Sequence, residues 1–183
     1  LKKGEIKKIE SGAFEISGYA EDGSVMSDTV ATELVPGTQW RISSHDATLN
    51  GTKLLNSIIG EKRFTFPKSL YAVHDTIRFF VANKPNALIV DFFAGSGTTM
   101  HAVNLLNAED GGHRRCIMVT NNEVSADEAK MLKGKGYQPS DAEWEKLGIA
   151  HYVTWPRTVC SIEGHDVNGN PLKGDYLGSE PPM

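Results

Sequence analysis

Apolar positions fall in two short runs within 13–32, on either side of a turn signal, and the rhythm then changes. Phe14, Ile16, Val25 and Val30 flank the turn signal Glu21-Asp22-Gly23, a pattern that predicts a β-hairpin over 13–32. Pro36-Gly37 punctuates, and helical spacing takes over. Leu54, Leu55, Ile58 and Ile59 predict a short amphipathic helix over 52–59, closed by Gly60. Phe64-Thr65-Phe66 reads as a brief extended piece ahead of Pro67-Lys68-Ser69. Ser69 is a helix N-cap signal, and Leu70, Val73, Ile77 and Phe80 are expected to form the inward face of the helix that follows.

Ala87-Leu88-Ile89-Val90 is an unbroken apolar run, the signature of a parallel strand covered on both faces. It leads into Asp91-Phe92-Phe93-Ala94-Gly95-Ser96-Gly97-Thr98-Thr99. A helical pattern then continues through Met100, Ala102, Val103, Leu105 and Leu106 to Asp110-Gly111-Gly112. Cys116-Ile117-Met118-Val119 is a second buried-strand run. Strand, glycine-rich turn, helix and strand within about 30 residues make a βαβ unit. Further on, 125–134 and 141–147 read as helices separated by Gly136 and Pro139, and His151-Tyr152-Val153 as a strand. Trp155-Pro156-Arg157 reads as a turn with a surface arginine. From Gly164 the chain is rich in turn residues (Gly169-Asn170-Pro171, Gly174, Gly178, Pro181-Pro182) and is expected to be loop.

Composition narrows the class only a little. With 39% hydrophobic and 23% charged residues the chain can bury a core, and a net charge of −4 does not mark a nucleic-acid binder. Lys53, Lys62, Arg63, Lys68 and Arg78 nevertheless outnumber Glu61 and Asp75 just ahead of the glycine-rich turn. Cys116 and Cys160 lack the spacing of a disulfide framework or a zinc site, which fits a reducing, cytoplasmic setting, and no metal is expected. No apolar run reaches the roughly 18 residues that span a membrane. The chain opens on Leu1 rather than methionine, so a piece of a longer protein is expected.

The glycine-rich turn carries the chemistry. A phosphate loop needs G-x-x-x-x-G-K-[ST], but Gly95 and Gly97 are too close together and no lysine follows. A dinucleotide fingerprint needs a third glycine where Met100 stands. The remaining pattern, F-x-G-x-G-T-T after a strand ending in an acid, is met at every position of Asp91 to Thr99. It suits S-adenosylmethionine, a ligand without phosphate. Glycine lets backbone approach the ligand closely, Asp91 can meet its ammonium, and the first turn of the helix offers N–H groups to its carboxylate.

Asp91-Phe92-Phe93-Ala94-Gly95-Ser96-Gly97-Thr98-Thr99-Met100-His101-Ala102-Val103 resembles motif I of the prokaryotic DNA amino-methyltransferases, which methylate adenine N6 or cytosine N4. Gly51-Thr52, Leu54-Leu55 and Phe64-Thr65-Phe66-Pro67-Lys68-Ser69 resemble the motif X region, which in that family serves the methionine side of the cofactor pocket. Motif X before motif I is the beta-class order, shared by modification subunits of type III restriction systems. The resemblance covers roughly 36–125. It implies S-adenosylmethionine as cofactor, held by Phe66, Lys68, Ser69, Asp91, Phe92, Phe93, Ala94, Gly95, Gly97, Thr98 and Thr99. Many relatives place an acid after the second strand for the ribose hydroxyls; here Thr120-Asn121-Asn122 stands there with Glu123 just beyond, and Asn122 is taken as the candidate.

The catalytic turn of that family, [DNS]-P-P-[YFW], bonds the amine of a flipped-out base and stacks on it. The only Pro-Pro here, Glu180-Pro181-Pro182-Met183, lies on the wrong side of motif I for this order and has no aromatic. No catalytic residue is therefore assigned, and the motif is expected before Leu1. His101 is read as packing or capping.

The resemblance implies an α/β fold, a partial Rossmann-like S-adenosylmethionine-dependent methyltransferase sheet with a small N-terminal β-hairpin. Residues 1–35 would be the end of a target-recognition region or a peripheral hairpin, 36–163 a cofactor-binding half-domain, and 164–183 a loop-rich tail. The implied function is the cofactor-binding part of a DNA adenine-N6 methyltransferase of a restriction-modification system, itself inactive. A cytosine-N4 enzyme and a non-catalytic cofactor-binding remnant stay open, with a nicotinamide oxidoreductase further off. The implied partners are double-stranded DNA, a restriction subunit and the N-terminal remainder of the same protein.

Overall fold

The computed structural model describes residues 13–19, 25–30, 39–40 and 42–172. The chain divides into two compact units, 1–40 and 41–183. In the first, β1 (Ala13–Tyr19) pairs antiparallel with β2 (Val25–Val30), from Ala13 opposite Val30 to Tyr19 opposite Val25, with an irregularity between Ile16 and Gly18. The predicted turn at Glu21-Asp22-Gly23 lies outside the described residues, as do Pro36-Gly37 and the tail beyond Leu172.

The second unit is built from helices and one short parallel sheet. A π-helical turn, Thr48–Lys53, runs into α1 (Leu54–Ile59), which stops where Gly60 turns left-handed at φ +80°. Leu54, Leu55, Ile58 and Ile59 are all buried, as their spacing predicts. Phe64-Thr65-Phe66 forms no strand. α2 (Leu70–Val81) starts on Ser69, whose hydroxyl accepts from the Ala72 N–H at 3.4 Å and donates to the Ser44 carbonyl at 3.1 Å. The inward face of α2 differs from the prediction. Leu70 and His74 are buried, Val73 and Ile77 are half-buried, and Phe80 is 65% exposed, edge-on to the exposed Phe79.

β3 (Leu88–Asp91), α3 (Thr98–Asp110) and β4 (Arg115–Met118) form the βαβ unit, with β3 and β4 parallel and in register from Leu88–Arg115 to Asp91–Met118. The continuous apolar runs predict cover on both faces; burial instead alternates along both strands. Ile89, Cys116 and Met118 are half-buried, whereas Leu88, Val90 and Ile117 are 44–51% exposed. Among the described residues, helices cover one face only. Burial, with the Asp91 charge nearby, pushes the Cys116 thiol up to about 11, so it remains a protonated thiol.

α4 (Ala126–Gly134) opens on the N-cap Ser125, whose hydroxyl accepts from the Glu128 N–H at 3.4 Å and donates to the Glu128 carboxylate at 2.6 Å. α5 (Ala142–Glu145) is a single turn. The strand predicted at His151-Tyr152-Val153 is absent: Ala150–Thr154 is a π-helical turn leading straight into α6 (Trp155–Glu163). Pro156 at the start of that helix and Gly164 just past its end are ordinary helix delimiters. The core joins α1, α2, α3 and α6 through Leu55, Ile58, Leu70, Ala102, Leu105, Val153 and Cys160.

Two polar ties hold this frame. Arg114, with its side chain fully buried, donates to the Val81 and Ala82 carbonyls, to Asn107 and to both oxygens of Asp110, so it clamps the C-terminal ends of α2 and α3 together. A second tie runs His45–Asp75–His74–Glu109, at 2.7, 3.1 and 3.0 Å. Burial pushes the Asp75 carboxyl up, but hydrogen bonds from His45 and His74 outweigh it and hold the carboxyl below its ordinary value. A depressed folded-state pKa stabilises above the unfolded value of about 3.9, and that contribution is lost as pH falls through the folded value. The wild-type unfolding temperature is therefore expected to drop as pH falls below about 4, and less steeply in Asp75→Asn. Identical acid limbs in thermal melts of the two proteins would show that Asp75 carries no such coupling.

Candidate functional site

The glycine-rich turn sits between β3 and α3, where chain direction reverses. Gly95 and Gly97 adopt φ +48° and +75°. A Cβ at Gly95 would stand 3.3 Å from the ring edge of Phe64, and one at Gly97 3.3 Å from the Thr154 methyl. The turn is pinned from both sides. The Ala94 N–H donates to the Val119 carbonyl at 3.1 Å, and the Thr154 hydroxyl donates to the Gly95 carbonyl at 2.5 Å. α3 begins on Gly97, which has no side chain to cap it, so the first N–H groups of the helix have no side-chain cap and no intrahelical partner.

Asp91, at the end of β3, is half-buried. One carboxylate oxygen accepts the Phe93 N–H at 3.0 Å and the other the Thr99 hydroxyl at 2.5 Å. Each oxygen has a further lone pair to offer. Phe93 is 93% exposed and Phe92 68% in the turn itself, and Phe66, two residues beyond the Phe64 that meets Gly95, is 81% exposed. Ala94 and Thr98 are buried, and the Thr98 hydroxyl bonds Ser96 and Arg157. Lys68 is exposed, and the hydroxyl of buried Ser69 is committed to its cap and to Ser44.

Beside the turn lies a cavity of about 330 Å³, within the range of small-molecule sites. Phe64 and Phe66 line one side, Glu123, Ser125 and Glu128 another, and Leu147, Ile149, Tyr152 and Val153 the rest. Arg63 lies over the Tyr152 ring, 3.6 Å from its centroid, and pairs with Glu128. The Tyr152 hydroxyl donates to Glu61 at 2.5 Å; that bond, with Arg63 beside it, holds the Glu61 carboxyl below its ordinary value. Of the cofactor-holding residues expected from sequence, Phe66 lines the cavity and the residues of the turn do not; Phe64, which also lines it, connects it to the turn by meeting Gly95.

Asn122 lies elsewhere. Its amide donates to the Glu145 carbonyl and carboxylate, at 2.8 and 2.7 Å, and its oxygen accepts the His151 N–H. It fastens the segment after β4 to α5 and to the π-helical turn, while Glu123 lines the cavity. Sequence reasoning also missed Arg157, which is 0% exposed beneath the turn and not on a surface. The Pro156–Gly164 bracket was the signal that placed it inside a helix. His101, fully buried, accepts from Arg157. Among the described residues no group of His, Cys, Asp and Glu could hold a metal ion, and no helix is long and apolar enough to cross a membrane.

These residues suit a phosphate-free nucleoside carrying an amino-acid end. The turn admits close backbone approach, an acid and uncapped N–H groups stand at its two ends, and exposed aromatic rings flank it. The model of a DNA methylase family matches residues 3–132. The chain is 45% identical over 85 residues to a type II methyltransferase, M.KpnI, of Klebsiella pneumoniae, a stretch covering 46% of this chain and 20% of that protein. It is 38% identical over 78 residues to the Mod subunit of the type III restriction-modification enzyme EcoPI of Escherichia phage P1, covering 43% of this chain and 12% of that one. With the StyLTI Mod subunit of Salmonella typhimurium it shares 36% over 91 residues, 50% of this chain and 14% of the relative. The matched stretch spans a fifth or less of each relative's length.

Proposed function

The chain belongs to the DNA methylase family, and from that membership we propose that it is the S-adenosylmethionine-binding part of a site-specific DNA methyltransferase of a restriction-modification system. The observation that carries this reading is the turn itself: two left-handed glycines delivering a helix start without a side-chain cap, close in the chain to Asp91 and the exposed ring of Phe93. In this proposal β3, α3 and β4 are the centre of a Rossmann-like methyltransferase sheet, within a cofactor-binding half-domain over 36–163. Double-stranded DNA, a restriction subunit and further chain of the same protein are the partners. Adenine N6 is the proposed target, in keeping with the resemblance to type III modification subunits.

Bound S-adenosylmethionine supplies an electrophilic methyl group on its sulfonium. This chain's own residues bind and orient. Gly95 and Gly97 let the backbone close on the ligand, and the N–H groups of Thr98 and Thr99 receive its carboxylate. Asp91 receives its ammonium, with Thr99 and the Phe93 N–H holding the carboxylate in place. Phe66 and Phe93 flank the nucleoside, with Lys68 on the methionine side; Ser69, buried and bonded to Ala72 and Ser44, holds the start of α2 there. For the ribose hydroxyls we propose Glu123 in place of Asn122, because the amide of Asn122 is already engaged whereas Glu123 lines the cavity.

Titration of the chain with S-adenosylhomocysteine by calorimetry tests the reading, and Asp91 supplies its sharpest arm. A charge-assisted hydrogen bond contributes roughly 1.5–3 kcal/mol, so Asp91→Asn is expected to weaken binding about ten- to a hundredfold. The asparagine oxygen can still accept the Phe93 N–H, so the turn should keep its shape. Unchanged affinity would move the ammonium elsewhere and leave Asp91 a capping residue. Nucleoside analysis of DNA methylated by the longer protein would separate adenine N6 from cytosine N4.

A further inference from the structure

Arg157 heads the fully buried side chains by size, and nothing in the proposed function uses it. It stands in the first turn of α6, beneath the glycine-rich turn. Its Nη1 donates to the Ser96 carbonyl at 3.3 Å, the Ser96 hydroxyl at 3.2 Å and the Thr98 hydroxyl at 2.8 Å. Its Nε donates to His101 Nδ1 at 3.3 Å, which requires that nitrogen to be unprotonated. None of these partners is a carboxylate, and Nη2 is buried with no hydrogen-bond partner among the described residues.

A buried guanidinium ordinarily meets an acid, because an uncompensated charge in the interior is costly. This one is placed instead at the start of α3, where the helix dipole is already positive. Two positive features in one place oppose folding and favour an anion lying on the turn. The side chain's hydrogen bonds go to Ser96, Thr98 and His101, all in the turn or in the first turn of α3.

Resting on the reading of this turn as the S-adenosylmethionine site, we propose that Arg157 supplies, from beneath the Ser96–Thr98 segment, the countercharge for the cofactor's carboxylate. Burial pushes the guanidinium down to about 9, which leaves it charged at neutral pH. A plain pillar would support the turn for any ligand. A countercharge favours only ligands that carry the carboxylate.

The 183-residue chain is titrated at neutral pH with S-adenosylhomocysteine and with its decarboxylated analogue, which keeps the amine and the nucleoside. Arg157→Gln, which retains donors but no charge, is expected to lose roughly tenfold or more in affinity for the first ligand. Its affinity for the second should stay within about twofold. Arg157→Lys, which retains the charge, is expected to keep most of the preference for the carboxylate. Equal losses for both ligands in Arg157→Gln would make Arg157 a pillar and overturn the proposal. Should that variant not fold by circular dichroism, the Arg157 Nε–H resonance of the wild type decides. It should shift with S-adenosylhomocysteine and not with the decarboxylated ligand, and the same shift with both would overturn the proposal. A wild-type chain that bound neither ligand would overturn the cofactor reading, and this inference with it.

Discussion

Valine in place of Gly97 is expected to abolish binding of S-adenosylhomocysteine while α3 stays helical. Gly97 stands at φ +75°, where an L-residue costs roughly 1–2 kcal/mol, more when β-branched. Space is short as well: a Cβ there would lie 3.3 Å from the Thr154 methyl and 3.4 Å from the Thr154 carbonyl oxygen, and valine adds two methyl groups beyond it. Thr154 cannot simply withdraw, since its hydroxyl is bonded to the Gly95 carbonyl and its own carbonyl accepts from Thr158. The turn must give instead, which moves the N–H groups of Thr98 and Thr99 that would receive the ligand. A displacement near 1 Å at such donors is enough to cost about a hundredfold. Downstream, α3 keeps its buried face of Ala102, Val103, Leu105 and Leu106, so circular dichroism should change little. Gly95→Val is expected to act in the same sense, through φ +48° and the ring of Phe64. Equal affinity in wild type and variants, measured by calorimetry, would sink the assignment of this turn to the cofactor.

What the sequence showed and what it hid follow from one distinction. Elements with a local signal were legible. Ser69 caps α2 through its own hydroxyl, Gly60 ends α1 by turning left-handed, and the run from Leu88 through Gly97 to Met118 gives the βαβ unit. Features set by distant partners were not. The apolar strand runs predict two covered faces, yet Leu88, Val90 and Ile117 lie exposed, because a run of apolar residues does not say which neighbours are present. His151-Tyr152-Val153 carries strand-forming residues, but continuity with α6 and burial of Val153 in the helical core draw it into a π-helical turn. Arg157 was hidden for the same reason. Charge marks a residue as surface by default, and only the fold shows four accepting atoms gathered around it. At the site, the backbone pattern of Asp91 to Thr99 was readable because glycine and acid positions are fixed by local geometry. The commitment of Asn122 to Glu145 and His151, and the opening of Glu123 onto the cavity, depend on contacts more than twenty residues away.

Incubated alone with labelled S-adenosylmethionine and mixed-sequence DNA, this chain is expected to transfer no label. Binding the cofactor and moving its methyl group are separate demands. The second needs a flipped base whose exocyclic amine is bonded, oriented toward the sulfonium and relieved of a proton. The residues around the turn do not meet that need. Asp91 is held by Thr99 and the Phe93 N–H, Glu128 is paired with Arg63, and Glu61 accepts from Tyr152. Glu123 lines the cavity, but we assign it to the ribose, and no Pro-Pro-aromatic turn stands beside it to stack a base. The exposed rings of Phe66 and Phe93 could stack on a base, but then they would no longer flank the nucleoside of the cofactor. Orientation is worth many orders of magnitude in rate, so cofactor and DNA meeting by diffusion leave the reaction undetectable. An extension of the chain that supplies an Asp-Pro-Pro-Tyr turn ahead of the cofactor segment is expected to transfer label, and its Asp→Ala variant to bind cofactor without transfer. Turnover by the chain alone would place the amine-binding turn among its own residues, and cofactor binding and base binding would not be divided between this segment and another.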